Sequence, residues 1–161
     1  MRDRSRRLTL RAHSSGQFLV LLAAVTLATA CEREADPELQ PDLVLREELG
    51  LTARDEVHRI LVRGGAREVA DPAETTIPAE AHVEFVTTDW LVHEVVFDVD
   101  SMRADSRAFL ESTDQVASPP LLRQDSRFVI DFRDAPPGRY PYRLEGSGEA
   151  GRGVVIVVVK P

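Results

Sequence analysis

The chain has 161 residues, a formal net charge of −7, 43% hydrophobic residues and 29% charged residues, which suits one domain plus a linker with enough apolar content for a core. Residues 1–30 hold five arginines and one acid, net +4, leaving −11 for the remainder. An acidic body lacks the clustered Lys and Arg that phosphate binding needs, which argues against nucleic acid as a partner. It also disfavours electrostatic adsorption to anionic lipid, so membrane attachment has to be covalent or hydrophobic.

Residues 1–11 are basic, and residues 18–29 (FLVLLAAVTLAT) are uncharged and mostly apolar, the order of a secretory signal. A twelve-residue helix rises only ~18 Å, less than the ~30 Å of a bilayer core, which sets a transmembrane anchor below a cleaved signal. Leu27-Ala28-Thr29-Ala30-Cys31 resembles the lipobox of bacterial lipoproteins, with small residues before a Cys and acids after it (Glu32, Glu34, Asp36). The resemblance implies that Cys31 is thioether-linked to diacylglycerol and becomes the mature N-terminus. The pattern departs at Ala28, where such sequences usually carry Leu. The alternative is ordinary signal cleavage with a free Cys31. Cys31 is the sole cysteine, so no intrachain disulfide can form. Acylation would remove an exported thiol exposed to oxidation, and several buried acyl chains give stable anchoring. The expectation is an exported protein of the cell envelope, held to the membrane by a lipid anchor. Residues 1–30 are then a lipoprotein signal peptide.

Residues 31–55 read as an acidic tether, with a possible short helix over 42–49. From residue 56 the pattern becomes β. Residues 57–62 form a strand. Residues 82–86 alternate polar and apolar, the signature of a half-buried strand. Residues 92–99 place Val95, Phe97 and Val99 in phase, and residues 127–132 do the same for Phe128, Ile130 and Phe132. A strand over 139–144 follows the turn signal Pro136-Pro137-Gly138. Residues 154–159 are six β-branched residues, which suit a strand covered on both faces. Gly64-Gly65, Asp71-Pro72, Pro119-Pro120 and the stretch 146–153 supply turns, and residues 101–111 look helical. Six or seven strands over about a hundred residues argue for an all-β sandwich occupying 56–161.

Several segments resemble the cupredoxins, the small copper-binding sandwiches such as plastocyanin. Pro72, Thr75, Ile77, Val83 and Phe85 fall where that family has an early Pro and a strand ending Val-x-Phe. His93-Glu94-Val95-Val96-Phe97 resembles the segment carrying the first copper ligand, and Ser118-Pro119 through Phe132 resembles the next paired strand. Pro137-Gly138-Arg139-Tyr140-Pro141-Tyr142 resembles the opening of the ligand loop, and Gly153 with the following valines resembles the family's last strand. The resemblance implies a Greek-key, cupredoxin-like β-sandwich. It does not carry the copper chemistry, because a blue-copper centre needs two His, a Cys thiolate and usually an axial Met. The family's Cys position holds Leu144, its second His position holds Ser147, and residues 148–152 offer no axial ligand. His93 alone is retained.

A single His is more often a hydrogen-bonded structural residue than a metal ligand. His58, His82 and His93 with Glu84 or Glu94 form an alternative metal set whose proximity the sequence leaves open. No Gly-x-Ser-x-Gly elbow, His-Glu-x-x-His motif or phosphate loop is present. Asp98, Asp100, Asp131 and Asp134 fit turns and strand ends. Trp90 either caps one end of the core or offers a partner contact. The reading is a non-catalytic binding or structural module without a metal cofactor, tethered to the membrane through Cys31 and engaging an unidentified envelope protein. The alternative is a copper-binding or electron-transfer protein using His93 with non-standard ligands.

Overall fold

Strand alternation sorts side chains into inward and outward sets, and in the computed structural model, which describes residues 36–159, that sorting builds two sheets. Residues 1–30, read as a signal peptide, and Cys31 lie outside the described residues. Among those described, no helix is long and apolar enough to cross a membrane. The first sheet has the order β2-β1-β4-β6, from Val69–Asp71, Val57–Arg63, His82–Thr87 and Arg127–Asp131. The second has the order β3-β8-β7-β5, from Glu74–Pro78, Gly151–Val158, Gly138–Gly146 and His93–Phe97. β1 pairs with β4, and β3 with β8, in parallel; the other neighbours are antiparallel. The expected β-sandwich is therefore present. The strand count differs because β2 and β3, only three and five residues long, flank the Asp71-Pro72 turn where the chain changes sheets.

The inward set packs between the sheets. Ile60, Val62, Val83, Phe85, Val95, Phe97, Ile130, Phe132, Tyr140, Tyr142, Leu144, Val155 and Val157 are buried in one cluster. Two aromatic groups organise it. Tyr142 meets Phe85 edge-on at 5.0 Å and Phe97 at 5.9 Å. Tyr140 meets Phe132 at 5.2 Å, and Phe109 of helix α2 (Ala104–Ser112) covers both rings. Such pairs add about 0.5–1.5 kcal/mol each beyond their area burial. Gly153 is required here, since a β-carbon on it would collide with the Tyr142 hydroxyl. The last strand departs from expectation. Val155 and Val157 are buried, but Val154 and Ile156 are half-exposed and Val158 is exposed, so β8 is covered on one face only.

In the described part of the 31–55 segment the short helix expected over 42–49 is present, and it is packed on the sandwich. Asp42 caps helix α1 (Leu43–Leu49) by accepting the Leu45 amide at 3.0 Å, and Gly50 ends it in the left-handed conformation (φ 68°). The helix packs onto the outward face of the first sheet, where Leu45 and Leu51 meet Val57 and Val129. An ion-pair chain fixes it there. Glu84 of β4, fully buried, sits between Arg59 (2.7 Å) and Arg127 (3.0 Å), and Arg127 reaches on to Asp42 at 2.7 Å. The Leu45 amide and the Arg127 guanidinium hold the Asp42 carboxyl below the ordinary carboxylate range against the effect of burial. This strap leaves every residue of β4 buried.

One flank of the sandwich is closed by residues 115–121. The Gln115 side chain accepts the Asp131 amide at 2.8 Å on the outer edge of β6. Further along, Val116, Ser118 and Leu121 exchange backbone hydrogen bonds with Phe97, Val95 and His93 on the outer edge of β5.

Because Leu45 is 1% exposed and Leu43 80%, the strap is testable as part of the fold. Leu45→Ala should cost about 2–5 kcal/mol in denaturant unfolding, whereas Leu43→Ala should stay within about 0.5 kcal/mol. Equal, small effects would show that the segment is a free tether.

Candidate functional site

The end of the sandwich where β1 and β4 finish carries the most concentrated polar chemistry. His93, the first residue of β5, points inward and is fully buried. Its Nδ1 lies 2.6 Å from Glu68 Oε2 and its Nε2 lies 2.8 Å from Asp89 Oδ1. Glu68, just before β2, is also fully buried, and its side chain has no other hydrogen-bond partner. Asp89 reaches the surface and accepts the Gly64 amide (2.7 Å) and the Leu91 amide (2.8 Å). Burial raises the Asp89 carboxyl, but the Gly64, His93 and Leu91 hydrogen bonds outweigh it and hold the group below its ordinary range. The result is a carboxylate–imidazole–carboxylate clamp tying together the loops after β1 and β4 and the start of β5.

Both nitrogens of a ring can donate at once only as imidazolium; otherwise one of the carboxyls carries the proton. In either state neither ring nitrogen presents a free lone pair. Glu68 and Asp89 lie against opposite nitrogens, so no single ion can sit within ligand distance of both carboxylates and the ring. The residues at the positions the cupredoxin pattern assigns to copper ligands supply no further donors of the required kind. Leu144 is buried and apolar, and Ser147 is exposed at the end of the strand. This donor set does not fit a thiolate–copper centre. Among the described residues, no group of three or more His, Cys, Asp or Glu is placed to hold a metal ion.

The other histidines are not brought together. His58 and His82 lie near the starts of β1 and β4, at the opposite end from His93. His58 faces the core beside Glu56 (3.8 Å), and His82 faces the strap beside Asp131 (3.6 Å). Burial lowers the pKa of both below the ordinary imidazole value. Glu84 is consumed by its two arginines and Glu94 lies on the outward face of β5. Asp98 accepts the Ser101 hydroxyl, Asp100 pairs with Arg107, and Asp131 pairs with Arg133, all local turn or surface roles; Asp134 adopts a positive φ.

Trp90 does not cap the core. It is 74% exposed, on the loop that Asp89 and His93 clamp, next to exposed Leu91 and Val92. Leu121 pairs with His93, which sets exposed Leu122 at the same end. Sequence reasoning passed over Glu68 and Asp89 because each is an acid in a loop with no periodic pattern. A usable signal was the glycine content around them. A β-carbon on Gly146 would collide with Glu68 Oε1, and one on Gly64 would press against Leu91 and the His93 ring.

No family model matches the chain, and no curated protein matches it. Solved structures similar to it include a purple cupredoxin from Nitrosopumilus maritimus, with 20% identity and a TM-score of 0.42 over 63% of this chain and 99% of that one. A mutant fern plastocyanin gives 20% identity and a TM-score of 0.44 over 62% of this chain and 99% of that one. A copper-containing nitrite reductase from Thermus scotoductus gives 23% identity and a TM-score of 0.42 over 70% of this chain, which spans 24% of that one. These likenesses concern the fold alone.

Two expectations follow from the histidines. His93→Ala leaves Glu68 buried without its partner and should cost about 3–5 kcal/mol in denaturant unfolding; a cost below about 0.5 kcal/mol would contradict the clamp. His82 titrates in the opposite sense to a salt-bridged group. Its folded pKa lies below the unfolded value of about 6.5, so its contribution is complete above pH ~6.5. That contribution drains as pH falls through the folded pKa, because the unfolded chain takes the proton first. The melting temperature should therefore fall less between pH 7.5 and 5 in His82→Gln than in the parent, and equal slopes would refute the assignment.

Proposed function

We propose that the chain is an envelope lipoprotein, anchored through acylated Cys31, whose cupredoxin-like sandwich serves as a non-catalytic binding module. The observation that carries the reading is the His93 clamp. Both ring nitrogens that could hold a metal are bonded to carboxylates, and the loop held by that clamp presents an exposed Trp90. The site is a copper position converted into a structural pin, with Leu144 and Ser147 in place of the thiolate and second imidazole. Pinning stiffens the 88–92 loop before binding, so a partner meets an ordered aromatic and loses less entropy on association. Trp90, Leu91, Val92 and Leu122 together form an apolar cap at this end, and Trp is the residue type most enriched among interface hot spots. The partner is an envelope protein that comes to the membrane-held domain. The N-terminal order of basic, apolar and small residues before Cys31 supports the anchor.

Three measurements test this. Mass spectrometry of the mature N-terminus should find a diacylglyceryl Cys31, and Cys31→Ser should release or stall the precursor; an unmodified Cys31 or cleavage elsewhere refutes the anchor. Crosslinking in the native envelope should capture a partner that Trp90→Ala loses while the domain stays folded. Metal analysis of the purified protein should find no tightly bound copper. Stoichiometric, chelator-resistant copper that vanishes in His93→Ala would move the protein to the copper-carrier reading.

A further inference from the structure

The outward face of the second sheet carries charge in an unusual order. Its inward residues, Val95, Tyr142, Leu144 and Val155, are buried, so Glu94, Arg143, Glu145 and Arg152 point outward. The register sets Glu94 directly opposite Glu145 across β5 and β7. One step along the strands, Arg143 lies directly opposite Arg152 across β7 and β8. Like charges directly opposite on a sheet destabilise it, and this face holds two such pairs side by side. Arg143 is relieved by Glu145 on its own strand at 3.1 Å, while Arg152 makes no ion pair among the described residues. Between and beyond the charged rows are half-exposed Val96, Pro141, Val154 and Ile156, and a shallow cavity of about 380 Å³ is lined by Arg139, Arg143, Arg152 and Asp98 together with Pro141 and Val154.

We propose that this face is a self-association surface whose occupant is a second copy of the chain. Residues two apart on a strand are separated by about 6.8 Å, so the acidic and basic rows lie side by side at that spacing. The acidic pair spans β5 and β7 and the basic pair β7 and β8, so a two-fold axis in the plane of the interface, running diagonally between the two pairs, sets the acidic pair of each copy over the basic pair of the other. Such an interface is isologous, so every contact is made twice. The arrangement brings each repulsive pair under opposite charge from the other copy, and it removes the half-exposed valines and isoleucine from water. The first sheet offers less, since the strap of residues 42–51 packs on part of its outward face, around Val57 and Val129.

The test uses the full chain in a mild detergent that disperses its apolar N-terminal run, followed by sedimentation. The parent should show a concentration-dependent dimer that weakens as salt rises, since exposed charge pairs are screened. The double variants R143E with R152E, and E94R with E145R, change only outward side chains. Each should keep the parent's circular dichroism and associate about a hundredfold or more weakly, because like charges then meet across the interface. Mixed one to one with different tags, the two variants should recover a heterodimer in which acidic and basic faces meet. A parent that stays monomeric at all concentrations overturns the proposal. So does a dimer that survives in both variants, or a mixture that yields no heterodimer.

Discussion

A carboxyl group is too costly to bury without a cation or hydrogen-bond partners beside it, and two glutamates are buried among the described residues, Glu68 and Glu84. How each is compensated decides what else is held. Glu84 draws Arg59 from β1 and Arg127 from β6 across the outward face of the first sheet, and Arg127 in turn holds Asp42 and helix α1. Glu68 draws the His93 ring, which draws Asp89, which accepts the Gly64 and Leu91 amides. Hydrophobic burial joins the two sheets; these two polar chains attach the parts that burial alone leaves loose, the N-terminal segment on one side and the loops at one end on the other. Removing one partner from either chain is more damaging than replacing the whole by apolar residues, because it strands a charge.

The alternating strands were legible because each side chain's burial follows from parity. Phe85, Val95, Phe97, Ile130 and Phe132 all fall on the inward face in the phase read from the sequence. Parity misleads where a face is covered by something distant in sequence. Glu84 occupies the polar phase of β4 and reads as solvent-facing, yet the strap buries it. The last strand shows the converse. Its run of β-branched residues suggests cover on both sides, and nothing among the described residues covers the outward one fully. The site was half legible. His93 was singled out by its place in a pattern, but its two partners lie 25 and 4 residues away in loops, and only the folded backbone joins them.

The two sheets thus have unequal outward faces. The first is roofed in part by residues of its own chain, which bury Val57 and all of β4. The second keeps rows of Glu, Arg and half-exposed aliphatic side chains toward solvent. The apolar cap around Trp90 lies at an end rather than on a face. A single domain of this size can therefore hold one contact at its tip and another on its broad side without the two competing for the same residues.

The segment that closes the flank has a consequence for how the chain behaves in company. An open strand edge is a row of unpaired amides and carbonyls, the template on which cross-β aggregates grow. Residues 116–121 occupy that template with backbone along β5, and the Gln115 amide takes up the Asp131 end of β6. On the opposite flank the outermost strands, β2 and β3, are only three and five residues long and are separated by Pro72, which leaves little length for another chain to zip against. With one edge paired and others short, the domain offers copies of itself little length for strand addition.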